Sequence, residues 1–236
     1  MSKKILGLFL VFFCCATSLV FAQGTKPVQL AFWSPIQLFP ASDSITGLRL
    51  NLLYTDNEDV SGVTLGVGWA RTSGQMKGVS LGAVNWTDGP SFGFKGGIFN
   101  HTGDRSVGLD LGVVNIGQGD TTGVQLGIVN YNKGFFHGWQ GGLVNYVNGS
   151  FIGFQSGLVN IVDEDVSGFQ LGVVNFNRGT MTGLQLGLIN YAKVVNGVQI
   201  GLFNGSNSLN GLQIGFSNYN GNATPREWMP VVNWSF

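Results

Sequence analysis

The sequence predicts an all-β protein built from about fourteen copies of a short one-strand unit. Three observations carry that prediction. A glycine-led motif recurs at near-constant spacing along almost the whole chain, and each copy alternates apolar and polar residues over its first six positions. Charged residues make up only 10% of the chain, against roughly 25% in an ordinary soluble domain. Two architectures share the pattern: a transmembrane β-barrel with one strand per unit, and a parallel β-solenoid with one unit per coil. The barrel is the first expectation and the solenoid the alternative.

In chain order, the first element is a leader. Residues 1–22 read as a secretory signal peptide: Lys3 and Lys4, an apolar stretch from Ile5 to Phe13, then Val20-Phe21-Ala22 before Gln23. The remainder, 23–236, reads as a single repeat-built β domain. Both cysteines, Cys14 and Cys15, fall inside the leader, so a processed chain has no thiol for disulfides, catalysis or metal binding. Phe12 and Phe13 stand where a lipoprotein signal needs small residues, which disfavours lipidation at Cys14 or Cys15. Removing Lys3 and Lys4 leaves 10 basic against 12 acidic residues, a net charge of −2. Such a balance sets up no field for nucleic acid, which is not expected as a partner. No later segment reaches the ~18 apolar residues of a membrane helix, so insertion would have to be by strands.

The repeat begins at Gly47. Counting that glycine as position zero, the unit is Gly, apolar, Gln, apolar, Gly, apolar, apolar, Asn, and then usually an aromatic or aliphatic residue, as in Gly183-Leu184-Gln185-Leu186-Gly187-Leu188-Ile189-Asn190-Tyr191. The leading glycines are Gly47, Gly62, Gly78, Gly93, Gly108, Gly123, Gly138, Gly153, Gly168, Gly183, Gly197 and Gly211. The gap between neighbours is the same in most cases and a single residue longer or shorter in the rest. Degenerate copies flank them, Pro27 to Ser34 at the start and Pro230 to Trp234 at the end. Fourteen units fill the domain and leave no room for a separate catalytic one.

The period-two alternation of each unit is that of a strand with two unlike faces. Position two carries Gln29, Arg49, Thr64, Ser80, Lys95, Asp110, Gln125, Gln140, Gln155, Gln170, Gln185, Gln199 and Gln213. Because unpaired charges are costly in a dry core, this face is expected to meet water or a polar lumen. Leu, Val, Ile and Phe occupy the other face. The apolar doublets, such as Val113-Val114 and Leu143-Val144, break the alternation and predict a bulge or corner that returns the later aromatic to the apolar face. Variable segments such as Asn132-Lys133-Gly134-Phe135 and Val162-Asp163-Glu164-Asp165 predict turns.

In a solenoid every Asn at position seven would sit above the last and form an amide ladder. The units show no alternation between odd and even copies, and Pro27, Pro35 and Pro230 lie in the first and last units, where edge strands tolerate proline. Both features suit the solenoid. For the barrel, the strands have the ~9–11 residues that cross a bilayer at a tilt, and fourteen is an even number. The ending Trp228-Met229-Pro230-Val231-Val232-Asn233-Trp234-Ser235-Phe236 places Trp228, Val232, Trp234 and Phe236 on one face. It resembles the terminal strand by which bacterial outer-membrane barrels are recognised, with Trp234 and Phe236 as the assembly signal. The partners so implied are outer-membrane lipid and its barrel-assembly machinery; no external ligand is indicated.

The run at 183–191, the segment Ile45-Thr46-Gly47-Leu48-Arg49-Leu50-Asn51-Leu52-Leu53-Tyr54 and the ending at 231–236 resemble the bacterial surface-repeat proteins known from leptospires and related bacteria. The likeness covers nearly the whole domain. It implies an exported protein of the outer membrane or cell surface and carries no biochemical activity with it.

No catalytic motif stands apart from the repeat, and no cofactor is expected. His101 and His137, at different repeat positions, read as turn residues, and a metal site normally needs three or four convergent groups. Asp163-Glu164-Asp165 and the group Asp56, Glu58, Asp59 lack the ligand spacing of a calcium loop and read as solvated turns. No nucleophile elbow or phosphate loop occurs. The expectation is a protein without catalytic activity, in a structural or interaction role. As a barrel it could act as a pore lined by the Gln series with Arg49, Lys95 and Asp110; as a water-soluble solenoid it would be a binding or adhesion module.

Overall fold

The computed structural model describes residues 24–224 and 227–236; the expected signal peptide, 1–22, lies outside them. Twenty strands and no helix occur among the described residues. Equivalent residues of successive units pair in parallel and in register: Gly123 lies beside Gly138, Gly138 beside Gly153, and Gly153 beside Gly168. The fold is therefore a parallel β-solenoid of about thirteen coils, and the expected barrel is corrected. A barrel strand sequence would pair antiparallel neighbours, placing unlike positions side by side. The parallel stack puts each side chain over its own kind.

Each coil has two arms where one strand per unit was expected. In the coil led by Gly138, Phe136–Gly141 runs out, Gly142 and Leu143 make a tight corner, and Val144–Val147 runs back before the turn at 148–150. The apolar doublet is that corner. Across the thin interior, position minus two faces position nine, as Thr121 Oγ1 and Asn132 Oδ1 show at 2.6 Å. Position two faces position seven, as Ser80 Oγ and Asn85 Oδ1 show at 2.6 Å. The half of the interior near the turn holds a packed column of Phe136, Phe151, Val166, Met181, Val195 and Leu209, with Val147, Val162 and Ala192 opposite. Beside the corner, the interior holds amides.

The two faces thus lie opposite to expectation. The Gln series is buried within the coil, and the apolar residues of positions one, three, five and six form the outer surface. Charge in a dry core made the Gln face look wet. Stacking resolves the cost, because each amide finds its hydrogen-bond partner one coil away.

The leading glycines are the steric condition for this stacking. Gly153 has φ +132°, where L-residues are strained, and a Cβ there would lie 2.0 Å from the carbonyl oxygen of Gly138. The same close approach repeats from coil to coil along the column.

Proline marks both ends, as expected. The first strand, Thr25–Trp33, contains Pro27 and pairs in parallel with Ser44–Asn57, bringing Gln29 beside Arg49. The last, Trp228–Ser235, contains Pro230 and runs antiparallel to Phe203–Asn220. That strand corrects the fourteenth unit, which closes the stack as a reversed strand and adds no coil. Pro230 supplies no N–H to a ladder, and Val231 adopts φ 68°.

Gly153→Ala should therefore cost about 3 kcal/mol or more in denaturant unfolding. Gly141→Ala, whose Cβ meets side-chain atoms alone, nearest the flexible end of Leu126 at 2.8 Å, should cost less than about 1.5 kcal/mol. Equal effects would contradict the stacked-glycine column.

Candidate functional site

Position seven of successive coils makes an amide ladder. Nδ2 of Asn85 donates to Oδ1 of Asn100 at 2.8 Å, Asn100 donates to Asn115, and the series continues through Asn130, Asn145, Asn160, Asn175, Asn190 and Asn204 to Asn218. From Asn85 to Asn204 the second N–H donates to a backbone carbonyl of the following coil, as Asn145 does to Ser156 at 2.8 Å, while Asn218 donates to the carbonyls of Gly215 and Met229. Every such amide then uses both donors and its oxygen.

A second ladder faces the first. Nε2 of Gln140 donates to Oε1 of Gln125 at 3.1 Å, and Gln155, Gln170, Gln185, Gln199 and Gln213 each donate to the preceding glutamine. Asn233 of the closing strand donates to Gln213 Oε1 at 3.1 Å and ends this column. The Asn amides donate toward the carboxyl end and the Gln amides toward the amino end, so the side-chain dipoles oppose one another. Each bond contributes about 1 kcal/mol net, whereas an unmade one in this dry space costs about 1–3 kcal/mol.

The glutamine column changes character below Gln125. Arg49 is fully buried, with Nε on Thr64 Oγ1 at 3.0 Å, one terminal nitrogen on the Arg71 carbonyl at 2.7 Å and the other on Thr72 Oγ1 at 3.1 Å. Burial pushes its guanidinium down to about 9, with Asp56 opposing. Lys95 Nζ lies 3.3 Å from Asp110 Oδ1 and also contacts Thr102 Oγ1. Burial lowers Lys95 from the usual lysine range, and Asp110 opposes the shift. Asp110 pairs with Lys95, and Nε2 of Gln125, one coil further on, has no partner.

The structure so places all ten residues expected to line a lumen or face water, Arg49, Lys95, Asp110, Gln125, Gln140, Gln155, Gln170, Gln185, Gln199 and Gln213, in a filled interior. Trp234, on the closing strand, and Phe236, just after it, are exposed at 61% and 95%.

His101 is a strand residue, correcting its expected turn position; its ring stacks on Trp86 at 3.9 Å, and burial lowers its pKa. His137 also lies in a strand, on the outer face of Phe136–Gly141. Asp163 to Asp165 form a turn as expected, where Asp163 pairs with Arg178 at 2.5 Å and accepts from the Tyr146 hydroxyl at 2.5 Å. A shallow depression of about 260 Å3 lies nearby, beside Phe135, Ser150, Asp165 and Thr180.

The outer surface is the larger feature, and the sequence reading missed its arrangement. Ile98, Ile128, Leu143, Leu158, Leu188 and Leu202 stand along the corner, each about half exposed or more. Charged side chains cluster on the opposite, turn edge. In-register recurrence of Gln was the signal for this arrangement, since glutamine inward forces the apolar positions outward.

Comparisons of the chain with family models, with curated proteins and with solved structures give no match.

Two variants test the interior assignment. Asp110→Asn should destabilise by about 3–5 kcal/mol, because it leaves a buried ammonium without its counter-charge. Lys95→Gln with Asp110→Gln extends the ladder and gives Gln125 an acceptor, so its stability should equal wild type or exceed it by about 1–4 kcal/mol. The pH response should differ too. Between the lowered folded pKa of Lys95 and its ordinary value of 10.5, the unfolded chain holds a proton that the folded chain has lost. Wild-type stability gains from this as pH rises through that window; the double variant should lose this share in denaturant titrations and keep only the share of Arg49, which is also lowered by burial.

Proposed function

We propose that this chain is an exported, non-catalytic β-solenoid of the bacterial cell surface that acts as an interaction or adhesion scaffold. One observation carries the reading: the strongest chemical groups of the repeat are consumed inside the coil. Arg49, Lys95 and Asp110 are buried and bonded to neighbouring side chains or backbone, and the amides are bonded to one another. What remains accessible is a long, regular outer surface. Stacked-repeat proteins commonly work in this way, as extended binding faces.

Export is supported by the charge, apolar core and Val-x-Ala order of residues 1–22. The likeness to bacterial surface-repeat proteins supports the same location. A pore is not part of this reading, since it required a lumen where the amide columns stand.

Intact-mass measurement and protease shaving of whole cells test the proposal together. The purified chain should begin at Gln23, and protease added to intact cells should cut the turn edge. A chain that keeps residues 1–22 and is protected until the cells are broken would overturn the assignment.

A further inference from the structure

The outer surface is divided by chemistry along its whole length. From the coil led by Gly47 to that led by Gly211, positions one, three, five and six contain no charged residue, and the exceptions to apolar character are few, such as Ser156 and Ser217. These positions cover the outside of both arms and the corner between them, forming a convex wedge. Charged residues of these coils outside the interior fall on the turn edge, on position eight bordering it, or, for Lys77, on position minus one of the outgoing arm.

That bordering row, position eight, holds aromatics whose polar tips point away from the wedge. Trp86 Nε1 donates to Asp88 at 2.6 Å and Tyr146 to Asp163 at 2.5 Å, both acceptors in turns, and Tyr191 donates at 3.3 Å to Asn207, within the strand Phe203–Asn220. Rings on the apolar side with indole and phenol groups on the wet side are the arrangement of residues at a membrane interface. This row lies three positions beyond the corner, about 10 Å of strand, which matches the ~5–10 Å to which interfacial elements enter a bilayer.

We infer that the wedge is a lipid-binding face and that the solenoid lies along a bilayer, its corner row in the acyl region and its turn edge in water. This rests on the reading of the chain as an exported envelope protein for the choice of membrane, though not for the binding. Shape selects lipid over a second copy. A flat face could pair with its equivalent, but a convex wedge meets an identical wedge only along one flank, leaving the other flank and the corner uncovered. Hydrocarbon covers all three. Among the described residues the arms are paired coil to coil, and strand edges without a partner lie at the two ends of the stack. The interior amides are satisfied as well.

Flotation of the processed chain, residues 23–236, with vesicles tests this. It should float with phosphatidylcholine vesicles and with vesicles containing phosphatidylglycerol to similar extents. It should do so equally in about 1 M NaCl, where surface charge is screened. Leu143→Asp with Leu158→Asp, both exposed positions, should lower partitioning about tenfold or more while circular dichroism stays unchanged. Lys133→Ser with Arg178→Ser, on the turn edge, should leave it within about twofold of wild type. Flotation confined to anionic vesicles and lost in salt would overturn the inference, as would failure to float or a stable dimer that ignores vesicles. A cytoplasmic location in cells would defeat the export proposal and leave the flotation result standing.

Discussion

A primary amide placed one coil above an identical amide can donate to it and accept from the next, and the rest of the molecule follows from that repetition. The spacing between hydrogen-bonded strands is about 4.8 Å, which a side-chain amide bridges only if successive units stay in register. Units of nearly constant length keep that register by absorbing length changes outside the paired arms, in the turn between Asn177 and Thr180 and at the corner between Gly62 and Trp69. Register in turn brings the leading glycines so close that no Cβ fits between Gly138 and Gly153. With amides committed inward at positions two and seven, alternation sends positions one, three, five and six outward. The apolar exterior is thus a consequence of the polar interior.

The inversion also explains the uneven composition of the position-two column. Seven glutamines from Gln125 to Gln213 follow one another as one hydrogen-bonded series. Below them the column carries charge, and the cost of burying it is met locally. Arg49 is held by hydroxyls and a carbonyl, Lys95 by Asp110 and Thr102. Breaking a buried pair is expensive, while replacing both partners together is often neutral or favourable. The junction between the two regimes is visible at Gln125, whose Nε2 is left without a partner.

Much of the fold was legible in the sequence, because a near-constant period can be counted and prolines at the first and last units mark ends. The Asn ladder was also legible as a property of the solenoid alternative. What misled was the meaning of polarity. A lone Lys95 or Gln155 is a poor core residue, and single-residue reasoning sends it to water; the partner that makes it acceptable stands a full repeat away, at the same position of the next unit. The count of arms was misread for a related reason. Leu143-Val144 reads as a defect in one strand, whereas the structure turns a corner there and starts a second. The even unit number and the aromatic ending at Trp234 and Phe236 then suggested closure into a barrel, when the last unit in fact runs antiparallel across the final coil.

Thiol labelling at two adjacent positions of one coil tests the central claim most directly, that glutamine is the core and the apolar residues are the surface. Phe154→Cys and Gln155→Cys, each made in the processed chain, should react with a water-soluble maleimide at very different rates in the folded state. The stacked-amide structure predicts fast labelling of Phe154→Cys and protection of Gln155→Cys until denaturant is added. Fast labelling of Gln155→Cys with protection of Phe154→Cys would place glutamine against water and contradict the account.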